Sequence, residues 1–204
     1  TVLALCASTM GAFFVSALLN KGLFRMEDCL NATLTGGVII GSSSDLVAAA
    51  WVSILIGFFG GCLSCLCFNK LGEWLYEKIG LHDTCGVHNL HGLPGVIGGI
   101  IGAISCAAAS DRVYGETLTL VFPELGNGRT QGEQGGYQLA CLVCTLGISI
   151  SSGLLTGLII RCPFFMPADA KDCFDDEHFW HMEMAEEPIS KRLTNWENQK
   201  FKVA

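Results

Sequence analysis

The stretch Leu81-His82-Asp83-Thr84-Cys85-Gly86-Val87-His88-Asn89-Leu90-His91-Gly92-Leu93-Pro94-Gly95 decides how the chain is read. It begins polar and rich in histidine, then runs straight into an apolar segment that ends near Ala109. Pro94 fits a first helical turn, where its missing N–H is not needed. The polar cluster therefore opens a helix over residues 88–109, long enough for a bilayer, which takes about 20 mostly apolar residues. His91, Gly95, Gly98 and Gly102 follow at steps of four, three and four, so they share one helix face. An imidazole thus heads a stripe that carries almost no side chains. A neighbouring helix or a small solute can come close to it.

An ionisable side chain inside a membrane is costly, so it is tightly paired or serves a purpose. Imidazole both donates and accepts hydrogen bonds and titrates near neutral pH. It can line a narrow path for a small hydrogen-bonding solute without presenting a fixed charge, and His91 is the candidate. His88, nearer the water, reads as an interfacial residue that caps the helix. Asp83 caps the same helix or accepts a hydrogen bond from a pore group. Asn89, Gly92 and Gly95 are supporting residues of helix packing or of a pore entrance.

The composition agrees with a membrane protein. Half of the 204 residues are hydrophobic and 15% are charged, against roughly 25% in soluble domains. The mean hydropathy is +0.46. A disordered chain is excluded, and a soluble domain could not hide so much apolar surface. The formal net charge is −7 and no basic stripe exists, which excludes nucleic acid as a partner. Of the 11 cysteines, Cys6, Cys62, Cys65, Cys67, Cys106, Cys141 and Cys144 sit inside apolar runs, where cysteine is a small soft hydrophobe.

Hydropathy divides the chain into five spans, at about 1–19, 31–46, 49–68, 88–109 and 137–160. An amphipathic linker over 69–84 and a glycine-rich polar loop over 110–136 separate the later ones. The membrane domain is thus 1–165, followed by an acidic tail over 166–204. Lys21, Arg25, Lys70 and Lys78 fall in the first and third loops, and Arg161 and Lys171 begin the tail. That bias puts the tail and those loops in the cytoplasm. The sequon Asn31-Ala32-Thr33 then stays unglycosylated. Residue pairs four apart (Gly37/Gly41, Gly57/Gly61, Gly95/Gly99, Gly98/Gly102, Gly153/Gly157 and Ser8/Ala12) predict a close-packed bundle. The chain opens on Thr1 with no charged leader, so it is not a signal peptide and is expected to lack its beginning.

Weaker patterns carry little. Cys62-Leu63-Ser64-Cys65 lies in an apolar helix without a second pair, and His178 and His181 lie in an acidic, solvated segment. Neither is expected to bind metal. Phe174, Phe179 and Trp180 point to a tail that docks on something. No G-x-S-x-G, H-E-x-x-H or phosphate-cradling loop occurs, so neither an enzyme nor a cofactor is expected.

The run from Asp83 to Gly95 resembles the signature of the Rh glycoproteins, the Rhesus branch of the ammonium transporter superfamily. Asn31-Ala32-Thr33-Leu34-Thr35-Gly36-Gly37-Val38 resembles the helix two spans earlier, and Phe174-Asp175-Asp176 with Trp180 resembles the start of the Rh tail. The resemblance covers residues 1 to about 181. It implies an all-α polytopic membrane protein whose five helices form the second half of an inverted-repeat fold. It also implies a pore in which ammonium is recruited, loses its proton and crosses as ammonia between two facing histidines. His91 falls on the second of these. The first histidine, the aromatic gate and the recruitment residues belong to the half that this chain does not contain. Homotrimers or Rh hetero-oligomers in the plasma membrane are implied, with a cytoskeletal or adaptor partner for the tail. The alternative is a non-conducting Rh-type scaffold, but such relatives lack the Asn-Leu-His-Gly pattern that this chain has at Asn89-Leu90-His91-Gly92.

Overall fold

The structure, a computed structural model, describes residues 1–46, 49–83 and 85–167. Expectations for Thr84 and for the tail from 168 onward, with its histidines and aromatics, lie outside the described residues. The described part is helical. Two units divide at residue 150: Thr1–Ile150, which holds the helix packing below, and Ser151–Ala204, described from its helical start through a short turn at Pro163–Phe165.

Small residues turn inward and large ones outward. Helix α1 (Val2–Leu19) buries Ala4, Ala7, Ser8, Gly11, Ala12 and Ser16 while Phe14 and Leu18 stand exposed. Helix α3 (Ala50–Leu66) buries Ser53, Gly57, Gly60, Gly61 and Ser64 and turns Trp51 and Phe59 out. That is the arrangement expected where lipid, not water, surrounds the bundle, because small residues let backbones meet. A Cβ at Gly57 would stand 2.2 Å from the Ala4 carbonyl oxygen, and one at Gly61 2.2 Å from that of Ser8. Helix α2 (Thr35–Gly41) meets α1 as closely, since a Cβ at Gly36 would also lie 2.2 Å from the Ala4 oxygen. Helix α5 (Leu93–Ala108) closes on α2, where a Cβ at Gly98 would be 2.6 Å from the Ile39 oxygen.

Among the described residues, four helices are long and apolar enough to cross a membrane: Val2–Leu19, Ala50–Ile79, His88–Ala108 and Gln131–Ile160. The second expected span, 31–46, is shorter and begins earlier. A wide π turn at Asp28–Ala32 leads through Thr33 and Leu34 into α2, which ends at Gly41. The cause is a side chain from α1. Ser8 Oγ donates to the Ala32 carbonyl (2.9 Å) and accepts from the Gly36 N–H (3.0 Å), standing where the helix would have bonded to itself. After Gly41, Ser42 Oγ donates across to the Gly98 carbonyl (2.8 Å).

Two other boundaries move outward. The stretch expected as a linker from 69 continues the helix. A second wide turn at Cys67–Leu71 passes into α4 (Gly72–Ile79), and Gly80, at φ 68°, ends it with its N–H on the Tyr76 carbonyl. The last span begins at Gln131, not 137. Thr130 and Glu133 form a reciprocal capping box: the Thr130 N–H donates to Glu133 Oε2 (2.9 Å), and the Glu133 N–H donates to Thr130 Oγ1 (3.2 Å). The loop before it carries three short helices, α6 (Asp111–Tyr114), α7 (Thr117–Val121) and α8 (Pro123–Gly126), and the long helix is α9 (Gln131–Ile160).

Candidate functional site

Asp83 stands at the entry of the His88–Ala108 helix. Its Oδ1 accepts from the Val87 N–H and its Oδ2 from the His88 N–H, both at 2.9 Å. Both carboxylate oxygens are thus engaged on donors that a helix start leaves open. Gly86, at φ 66°, has no room for a side chain, because the Phe68 ring occupies the place of its Cβ.

Residues His88–Gly92 form a third wide turn. Pro94 is the second residue of α5, in its first turn as expected, and the wide turn that bears the polar cluster comes just before it. The turn sorts its side chains sharply. Asn89 and Leu90 are buried, at 2% and 7% exposure, while His91 and Gly92 are exposed. Asn89 is fixed through its backbone, with the Ser64 hydroxyl donating to its carbonyl at 2.9 Å. Its side-chain Oδ1 is buried without a hydrogen-bond partner. His88 is half-buried and lies over Gly92, where a Cβ would be 3.2 Å from its Nδ1. Gly95 is open, with nothing within 4 Å of a Cβ built there.

The face expected to carry His91 and the glycines together is split. Gly98 packs against the Ile39 backbone and Gly102 lies near Ser42, so these two serve helix contact. At the start of the face His91 is exposed, and Gly95 is half-buried with nothing within 4 Å of a Cβ built there. On the Asn89 side lies a polar recess of about 250 Å³, bordered by Glu27, Asn31, Phe68, Gly72, Asp83 and Asn89. Among the described residues no group of three His, Cys, Asp or Glu is placed to hold a metal ion.

A second polar cluster is not apparent from the sequence. Asp28 is fully buried. Its Oδ2 accepts from Ser16 Oγ (2.7 Å) and its Oδ1 from Asn69 Nδ2 (3.0 Å). Asn69 Nδ2 also donates to the Cys65 carbonyl (2.8 Å), and Asn69 Oδ1 accepts from the Arg25 guanidinium (2.7 Å). Arg25 pairs with Glu27 as well. The network ties the end of α1, the wide turn at Asp28 and the end of α3 into one node. Its signal in the sequence is an acid at the border of an apolar span, with an asparagine and an arginine at two other borders.

Long apolar helices, small residues inside and large ones outside define an integral membrane protein. The profile of the Ammonium Transporter Family matches residues 1–185. An Ammonium transporter Rh type B of Oryzias latipes is 39% identical over 196 residues, 95% of this chain and 42% of that protein. An Ammonium transporter Rh type C of Canis lupus familiaris is 40% identical over 195 residues, 94% of this chain and 42% of that one. Among solved structures, Rh50 of Nitrosomonas europaea, described for conduction by the Rhesus family of channels, matches with a TM-score of 0.64 and 30% identity. The match covers 99% of this chain and 46% of that one. The chain belongs to the ammonium transporter family, in its Rh-type branch. It spans less than half the length of the curated relatives it matches.

Proposed function

We propose that the protein conducts ammonia across its membrane, with His91 on the wall of the pore. The observation that carries the reading is the exposure of His91 within a helix built to cross a bilayer. An imidazole facing lipid is expensive, so such a side chain faces protein or a polar path. The rest of the relatives' length supplies the opposite wall in this reading.

The chemistry follows from charge. Ammonium entering an apolar passage loses hydration that nothing there replaces, whereas neutral ammonia loses far less. A path lined by imidazole therefore favours the deprotonated solute. The ring offers one donor and one acceptor to it and presents no fixed charge when neutral. Ammonium gives up its proton to water before the narrow part, and ammonia takes one back from water beyond it. Asn89 and Gly92 shape the turn that bears His91, Asp83 holds its start, and Gly95 leaves the next turn open. No covalent step is involved, and the protein is a transporter, not an enzyme. It assembles as a trimer in the plasma membrane with its tail in the cytoplasm.

The test is ammonia flux into liposomes bearing the native-length protein. His91→Ala is expected to lower flux at least about fivefold, since leaving a polar solute without its hydrogen-bond partner in a dry passage costs about 1–3 kcal/mol. Assembly stays intact. Unchanged flux in that variant removes His91 from the pore, and no flux in the unmodified protein favours a non-conducting scaffold. A tag after Ala204 is expected to react only from the cytoplasmic side, and surface labelling reverses the orientation.

A further inference from the structure

The turn that carries His91 has a backbone problem, and one side chain solves it. In a regular helix the Asn89 carbonyl accepts from the N–H of residue 93, four positions on. Here the Leu93 N–H donates to the His88 carbonyl instead, five positions back. That widened register would pass Asn89 to the N–H of residue 94, but residue 94 is proline and has none. Both ladder partners of the Asn89 carbonyl are therefore missing, at a residue only 2% exposed. A buried carbonyl without a partner is strongly disfavoured. Ser64, fully buried on α3, donates its hydroxyl to that carbonyl at 2.9 Å.

We propose that Ser64 is a positioning residue for His91. By holding the Asn89 carbonyl it fixes the widened turn His88–Gly92, and the width of that turn sets which way the His91 imidazole points. Proline and serine act together. Pro94 cannot extend the regular ladder through Leu90, four residues before it, and forces the turn open. Ser64 then closes the gap from the neighbouring helix. His91 lies two positions after the held carbonyl of Asn89, so a turn that relaxes to the regular 3.6-residue winding rotates the imidazole off its face. The consequence for conduction rests on the reading of His91 given above.

The experiment uses the native-length protein with ¹⁵N-labelled histidine in lipid nanodiscs, and the same variants in flux assays. His91→Ala identifies the His91 imidazole resonances. Ser64→Ala is expected to move those resonances and to lower ammonia flux about twofold to tenfold, the span of one hydrogen bond's net contribution. The added change Pro94→Ala supplies a backbone N–H, and the pair Ser64→Ala/Pro94→Ala is expected to recover any loss of folding caused by Ser64→Ala alone. In the His91→Ala background, Ser64→Ala should lower flux no further, because the two act through one route. Unmoved His91 resonances in Ser64→Ala overturn the proposal. So does an equal fractional loss of flux with and without His91, or a folding defect that Pro94→Ala leaves in place. If His91→Ala itself leaves flux intact, the pore reading fails on its own, and the His91 resonances alone decide the role of Ser64.

Discussion

The carbonyl oxygen of Ala4 and the α-carbon of Gly57 are so close that a methyl group on Gly57 would sit 2.2 Å from that oxygen. Backbone faces backbone there, and no flexible side chain can move aside. Gly57→Ala must push α1 and α3 apart. Overpacking of this kind costs about 1–3 kcal/mol, and the loss is to be read as a lower thermal midpoint of the protein in detergent. Gly95→Ala is the control, since nothing lies within 4 Å of the new methyl. Equal midpoints for the two variants would mean that α1 and α3 do not meet backbone to backbone.

The hydroxyl of Ser8 stands inside the ladder of another helix. Ser8→Ala removes a donor from the Ala32 carbonyl and an acceptor from the Gly36 N–H in one step. Each buried group left without a partner costs about 1–3 kcal/mol. Hydrogen exchange reports this directly: the Gly36 amide is expected to exchange at least about fivefold faster in the variant, by the same magnitude. Protection that stays as it was would mean that α2 closes its own ladder once Ser8 is gone.

The sequence makes the membrane character and the positions of the long spans legible, because hydropathy over 18 or more residues is a local property that packing does not alter. The second span is harder to read. Its break at residues 32–36 is caused by Ser8, 24 residues before the first of them, and a local pattern holds no trace of such a partner. Two other boundaries are written locally. Gly80 is a helix stop and Thr130 with Glu133 is a helix start, and both patterns stand in the sequence as caps. At the candidate site, His91 is legible from its motif and its place in an apolar run. Ser64 is not, since its task exists only because Pro94, 30 positions later, withholds an N–H. The glycine stripe is legible as a stripe, but only the fold divides it into packed Gly98 and open Gly95.

Asp28 is expected to stabilise the node it occupies. Asp28→Ala leaves the Ser16 hydroxyl and an Asn69 N–H without their acceptor, and the loss is about 1.5–3 kcal/mol if the carboxyl is charged. Asp28→Asn keeps one acceptor oxygen at nearly the same volume and should lose less. The order of thermal midpoints, native above Asn above Ala, is the observable. A midpoint for Asp28→Ala equal to the native one would mean that burying the carboxyl costs as much as its two hydrogen bonds return.

Thr130 fastens the start of α9. Its hydroxyl accepts from the Glu133 N–H while Glu133 reaches back to the Thr130 N–H and hydroxyl. The next two residues, Gln134 and Gly135, are the buried ones of this helix, and a Cβ at Gly135 would lie 2.9 Å from the Ala103 oxygen on α5. The cap therefore sits just ahead of the point where α9 meets α5. Thr130→Ala is expected to cost about 0.5–2 kcal/mol, the usual value of a lost N-cap. Thr130→Ser, which keeps the oxygen, should cost a fraction of that. Amides of residues 131–135 should exchange faster in the alanine variant, while those in the middle of α9 keep their protection. Uniform exchange along the whole helix would instead show that α9 is held through its middle and that the capping box contributes nothing.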